Sequence, residues 1–234
     1  MTGELWVCHL PAVDYGAATD LQERLRAARQ EERIPDTLLL LEHPPVYTRG
    51  RRSDPSELTM GEAWYRAQGI DIVDTNRGGR VTYHGLGQLV GYPIMRIEDV
   101  IAYLRTMERA IVAALADAGI SARARPDEGP DFTGVWAGER KIASIGVHVS
   151  RGVTTHGFAI NVDNDLAPFG WVVPCGLTGV QMTSVREQTG PSGDDAEPLL
   201  EFVRETMAAR FAEAFDRRPA TVDLDRVDAP TPAA

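Results

Sequence analysis

Apolar residues recur at helical spacing in three stretches of the chain. Leu21, Leu25 and Ala28 share one face over residues 16–33. Val100, Leu104, Met107, Ile111, Leu115 and Ala118 form a longer stripe over 98–119, closed by Gly119. Phe202 or Val203, with Met207, Phe211 and Phe215, does the same over 196–215. Between these lie short apolar or alternating runs bounded by turn residues, at 38–41, 70–73, 80–83, 88–93, 132–137, 141–149 and 155–162, which read as strands. The two kinds of element mix without the regular alternation of a doubly wound sheet. The pattern therefore predicts an α/β fold, a single mixed-sheet domain with packed helices, over residues 1–216. Residues 217–234, rich in Pro, Ala and Asp, are expected to form a poorly ordered C-terminal tail.

Composition narrows the function classes. The 234 residues are 43% hydrophobic and 25% charged, the balance of a soluble globular protein. No apolar run approaches the roughly 20 residues that span a bilayer, and the first residues lack the basic and apolar regions of a signal peptide. A cytoplasmic protein without a membrane partner is expected. The two cysteines, Cys8 and Cys175, fit a reducing compartment and have neither CxxC nor zinc-site spacing, so no metal is expected. A formal net charge of -10 disfavours nucleic acid as a partner. Arg49, Arg51 and Arg52, followed by Arg77 and Arg80, are either a solvated loop or a local basic patch able to steer an acidic partner.

Candidate chemistry centres on Pro174-Cys175-Gly176 and on Lys141 in Gly138-Glu139-Arg140-Lys141. An unperturbed thiol is only a few per cent thiolate at neutral pH, and a nearby ammonium favours the thiolate. A cysteine and a lysine brought together would thus form a nucleophile and its proton partner, although a free cysteine alone is more often a small buried hydrophobe. The block Arg77-Gly78-Gly79-Arg80-Val81-Thr82-Tyr83-His84-Gly85-Leu86-Gly87-Gln88 is the densest cluster of glycine and polar residues. Its glycines permit close backbone approach to a ligand, or mark bulges in a strand. It completes no GxGxxG, and no P-loop occurs elsewhere. Ser144-Ile145-Gly146 and His156-Gly157-Phe158-Ala159 repeat the theme, leaving room for a ligand chain against strand backbone. His43, His84, His148 and His156 lack short metal-ligand spacing and read as packing histidines.

Five segments carry a family resemblance, in order along residues 38–186: Leu41-Glu42-His43-Pro44-Pro45-Val46-Tyr47-Thr48; the 77–88 block continuing to Gly91-Tyr92-Pro93; Lys141-Ile142-Ala143-Ser144-Ile145-Gly146-Val147; Thr155-His156-Gly157-Phe158-Ala159-Ile160-Asn161-Val162; and Pro174-Cys175-Gly176 followed by Met182-Thr183-Ser184. In these the chain resembles the octanoyltransferases of lipoate biosynthesis. Leu86 departs from the pattern, standing where the family commonly has Pro.

The resemblance implies a fold similar to the biotin/lipoate protein ligase catalytic domain. It also implies an ATP-independent transfer without cofactor, the first step of endogenous protein lipoylation. Cys175 would take an octanoyl group from octanoyl-acyl carrier protein as an acyl-thioester, with Lys141 as acid/base. The amine of a specific lysine would then accept it, on lipoyl domains of 2-oxoacid dehydrogenase complexes or on the glycine cleavage H protein. Two covalent steps imply ping-pong kinetics. Arg77, Gly78, Gly79, Arg80, Val81, Thr82, Tyr83, His84, Ser144, Ile145, Gly146, Gly157, Phe158 and Ala159 would bind the substrate, with Gly146, Gly157 and Ala159 as floor and the 77–84 segment as wall. Burying the acyl chain there would contribute roughly 5 to 6 kcal/mol. The rival readings are an ATP-dependent lipoate or biotin protein ligase, and a non-catalytic binder of acyl carrier or lipoyl domains.

Overall fold

The computed structural model describes residues 3–172, 180–190 and 196–228. Cys175 lies outside the described residues. Among them, eight strands form one sheet in the order β11-β1-β2-β6-β10-β9-β8-β7. These are β1 (Gly3–Ala12), β2 (Asp36–Glu42), β6 (Gln88–Ile94), β7 (Arg123–Ala124), β8 (Gly134–Ala137), β9 (Arg140–Ser150), β10 (Val153–Asn161) and β11 (Arg217–Thr221). β1 runs parallel to both β2 and β11, and the remaining neighbours are antiparallel, so the sheet is mixed as expected. A three-stranded sheet, β4-β3-β5, is built from β3 (Val46–Arg49), β4 (Asp71–Asp74) and β5 (Thr82–His84).

The three periodic stretches are the long helices α1 (Tyr15–Gln30), α3 (Val100–Asp117) and α5 (Ala196–Ala214). Asp14 caps α1 by accepting the Ala17 N–H, and Asp99 caps α3 by accepting those of Ile101 and Ala102. Met107, Ile111 and Leu115 of α3 join Val203, Met207 and Phe211 of α5 on one face of the large sheet, against Leu38, Leu40, Leu89, Phe158 and Ile160. Val203, not Phe202, is the inward residue of the last stripe; Phe202 is exposed. Leu21, Leu25 and Ala28 of α1 cover the opposite face, against Leu39, Leu41, Val90 and Tyr92. The short helices α2 (Glu62–Ala67), α4 (Val185–Thr189) and α6 (Leu224–Val227) complete the described elements. α2 belongs to a third apolar cluster, formed with the small sheet around Tyr47, Tyr65, Tyr83 and Phe169.

The expected tail is corrected over 217–228. Arg217–Thr221 is the edge strand β11, and Val222 and Val227 pack into the α1 cluster beside Cys8 and Leu10. The cause is a buried carboxylate: Asp36 takes Arg217 Nε on one oxygen at 3.0 Å and Arg29 Nε on the other at 2.8 Å. Residues 229–234 lie outside the described set.

Candidate active site

A cavity of about 320 Å³ is bounded by β9 and β10 and by the 77–84 segment, with Tyr15 of α1, Val100 and Leu104 of α3, and Thr133 completing it. Lys141, Arg77, Gly78, Gly79, Arg80, Val81, Thr82, His84, Ser144, Ile145, Gly146, Gly157, Phe158 and Ala159 all line it. Tyr83 does not. Successive residues of a strand point to opposite faces, so with Thr82 and His84 turned to the cavity, Tyr83 turns away. Its ring packs instead on Tyr47 and Phe169, each at 5.5 Å between centroids.

Arg77 is a brace within its loop. Its guanidinium is buried, donating from Nη2 to Thr48 Oγ1 (2.7 Å) and to the Thr48 carbonyl (2.6 Å), and from Nη1 to the Gly78 carbonyl (2.9 Å). The loop then docks on β9, where Gly78 N–H donates to the Val147 carbonyl at 2.9 Å. Three of the neighbouring arginines are paired within the protein, Arg49 with Asp74 and Glu62, Arg52 with Asp131, and Arg80 with Glu57, while Arg51 is exposed. The segment therefore presents much less open positive charge than its sequence suggests.

Lys141 is the only lysine in the chain; the other 23 of its 24 Lys and Arg residues are arginine. An arginine cannot release its proton in a protein, whereas a lysine can take up and give one. This lysine is 2% exposed, with Nζ 5.4 Å from the Trp136 ring centroid. A bulge delivers it: Val135 of β8 pairs with Ala143 and Trp136 with Lys141, leaving Ile142 unmatched. Bulges of this kind re-aim side chains. Its backbone is held on the other side, where its N–H donates to the Gln181 carbonyl and its carbonyl accepts the Thr183 N–H, both at 2.9 Å.

A buried chain of hydrogen bonds joins that anchorage to the far wall of the cavity. Asn161 Nδ2 donates to the Thr183 carbonyl (3.0 Å), so Asn161 Oδ1 accepts from Gln88 Nε2 (2.9 Å). Gln88 Oε1 must then accept from His84 Nδ1 (2.7 Å). The backbone carbonyl of Thr183 thus fixes the tautomer of His84, leaving Nε2 as an acceptor on a ring that lines the cavity. Burial, with the nearby His43, pushes the His84 pKa well below its ordinary value, so the ring is neutral.

Two further histidines surround it. His43 Nδ1 donates to the Val13 carbonyl (2.6 Å), so Nε2 accepts from the Tyr92 hydroxyl (2.7 Å), and burial lowers its pKa to about 4. His156 has a left-handed backbone, φ 56°, in the middle of β10, where strand alternation would turn it to the face of Phe158. Its ring instead meets Tyr92 and donates from Nε2 to Asn76 Oδ1 at 2.7 Å, while Phe158 faces Phe211 of α5. Burial, with Arg77 nearby, lowers its pKa to about 3. His43 is a hydrogen-bonded packing histidine, whereas His84 is hydrogen-bonded through Nδ1 and also lines the cavity. Sequence reading misses Tyr15, Val90 and Tyr92 as lining residues, and it singles out the stretch that begins at His156 while reading His156 itself as a packing histidine.

Residues 14–212 match the family of lipoyl protein ligase A/B catalytic domains. An octanoyltransferase of Solibacter usitatus is 46% identical over 211 residues, covering 88% of this chain and 91% of that protein. One from Gloeobacter violaceus is 44% identical over 208 residues, covering 87% and 86%. The chain belongs to the octanoyltransferases of this family. It is therefore an acyltransferase. A putative lipoate protein ligase of Thermoplasma acidophilum, solved with bound lipoic acid, superposes on this octanoyltransferase with a TM-score of 0.71 at 19% identity, covering 97% of this chain and 92% of that one. A lipoate-protein ligase A bound with ATP gives 0.69 at 21%, covering 97% and 93%. At these identities the likeness is one of fold.

In this octanoyltransferase the cavity sets the buried Lys141 beside small and apolar residues such as Val81, Ile145, Gly146, Gly157 and Ala159. Among the described residues, one His/Glu cluster brings three potential metal-ligand atoms within 4.8 Å of one another, His9 with Glu201 and Glu205; none of the three lines the cavity. No helix among the described residues is long and apolar enough to cross a membrane.

Proposed function

We propose that this octanoyltransferase moves an octanoyl group from octanoyl-acyl carrier protein to the amine of a specific lysine on lipoyl domains, in the cytoplasm and without ATP. The Cys175 thiolate attacks the thioester carbonyl carbon, the C–S bond to the carrier breaks, and the Lys141 ammonium protonates the departing carrier thiolate. The acceptor amine then attacks the octanoyl-Cys175 thioester, the amine form of Lys141 takes its proton, and the Cys175 thiolate leaves as the amide forms. Exchange of one thioester for another is nearly balanced and thioester to amide is downhill, so neither step needs an activating nucleotide.

The observation that carries this reading is that the chain's single lysine lies buried in a cavity of small and apolar residues, in a chain 46% identical to an octanoyltransferase. The proposed substrate contacts are the 77–82 segment, His84, and the Ser144–Gly146 and Gly157–Ala159 stretches of β9 and β10. Tyr83 supports them from behind.

Intact-protein mass spectrometry after mixing with octanoyl-acyl carrier protein, without ATP, tests the proposal. Wild type should gain one octanoyl group, discharged by an apo lipoyl domain, and Cys175→Ala should gain none. Product formed only with ATP and free octanoate would place the protein among the ligases. No acyl movement under either condition would leave a binder.

A further inference from the structure

Gly134 opens β8 with φ 135°, and a Cβ there would collide with the Ala143 carbonyl oxygen and stand 2.8 Å from Lys141 Cε. The lysine side chain therefore lies against the bare face of this glycine, beside the bulge that delivers it. The Gly134 N–H points the other way, donating to Glu108 Oε1 at 3.1 Å. Glu108 is 1% exposed on α3, next to the apolar stripe of Met107, Ala110 and Ile111. A buried carboxylate is costly unless it is bonded. Its second oxygen is occupied by Arg105 Nη1, which leaves Oε1 to hold Gly134.

We propose that Glu108 is a positioning residue for Lys141: by clamping the Gly134 N–H it fixes the glycine against which the lysine side chain is aimed. The inference rests on the reading of Lys141 as the proton carrier. It works through a hydrogen bond rather than through charge, so a carboxamide can replace the carboxylate. Glu108→Gln keeps an acceptor for the Gly134 N–H, whereas Glu108→Leu is apolar and of similar size.

Steady-state acyl transfer from octanoyl-acyl carrier protein to an apo lipoyl domain should separate the variants. Glu108→Leu should lower kcat about tenfold to a hundredfold with KM for the donor unchanged, the scale of a misplaced catalytic group. Glu108→Gln should stay near wild type. Because the chain holds one lysine, [13C]lysine labelling gives a single Cε resonance that reports on Lys141 without any turnover. That resonance should move in Glu108→Leu and hold in Glu108→Gln. A Glu108→Leu protein with wild-type kcat and an unmoved resonance would overturn the proposal. If that variant does not fold, Gly134→Ala serves, since it crowds Lys141 Cε with Glu108 intact; wild-type kcat and resonance there would overturn it equally. Lys141→Ala in the same assay separates the two readings: persisting turnover would sink the proton-carrier role, while the Cε resonance, read in the Glu108 variants that keep Lys141, would still test the clamp.

Discussion

Gly146 and Gly78 meet backbone to backbone: a Cβ on Gly146 would stand 2.9 Å from the Gly78 carbonyl oxygen. The 77–84 segment can approach β9 only because that side chain is missing, and its approach closes the cavity. Gly146→Val should push the segment off the strand edge and lower acyl transfer at least about tenfold, while costing about 1–3 kcal/mol of stability. Comparing kcat/KM with thermal melts checks this. A well-folded Gly146→Val enzyme of wild-type rate would show that the close approach is not needed.

Arg77 is predicted to matter as a fork. Arg77→Lys keeps the positive charge but cannot reach Thr48 and the Gly78 carbonyl together, so a buried cation loses partners. Hydrogen bonds to charged groups put the loss at about 2–3 kcal/mol. Denaturant titration measures it, and Arg77→Lys melting like wild type would remove the bracing role.

Much of this architecture is legible in the sequence, and the exceptions have physical causes. The stripes of α1, α3 and α5 face one sheet each, so period alone finds them. β2, β6 and β10 are buried on both faces or nearly so, and their apolar runs stand out. β11 does not: Arg217-Arg218-Pro219-Ala220-Thr221 is a polar edge whose order comes from Asp36, 181 residues away. The glycine block and Lys141 were visible as chemistry-bearing residues. Tyr15, Tyr92 and His156 were not, because a sheet order that skips through the chain gathers them and a left-handed residue breaks the alternation that would have placed His156.

β11 supplies a direct test of the C-terminal boundary. Ending the chain after Asp216 removes the strand, strips Asp36 of one guanidinium partner and uncovers the apolar cluster beneath Val222 and Val227. Arg217→Ala alone should cost about 1–3 kcal/mol, since Asp36 stays buried and its Oδ2 loses Arg217, while Oδ1 keeps Arg29 and the Arg96 N–H. The truncation should cost more. A truncated protein with the melting temperature of the full chain would return these residues to the status of a tail.

The buried histidines predict the acid limb of stability. His43 and His156 have folded pKa values of about 4 and about 3, against an ordinary value near 6.5, and that of His84 is depressed as well. A depressed folded pKa means that the unfolded chain binds protons first as pH falls. The stability these neutral rings contribute is therefore complete above about pH 6.5 and is lost as pH drops toward about 4 and then 3. For His43 alone the shift corresponds to roughly 3 kcal/mol. Melting temperature should fall steeply from pH 6.5 to 4, and His43→Gln, which cannot take up the proton, should flatten that slope by about one proton's worth. The same neutrality bears on catalysis: rings already unprotonated at pH 6 cannot supply a titration near 6.5 in kcat/KM. A limb there that vanished in His156→Gln would show that this ring titrates in the free enzyme, and would overturn its buried neutrality.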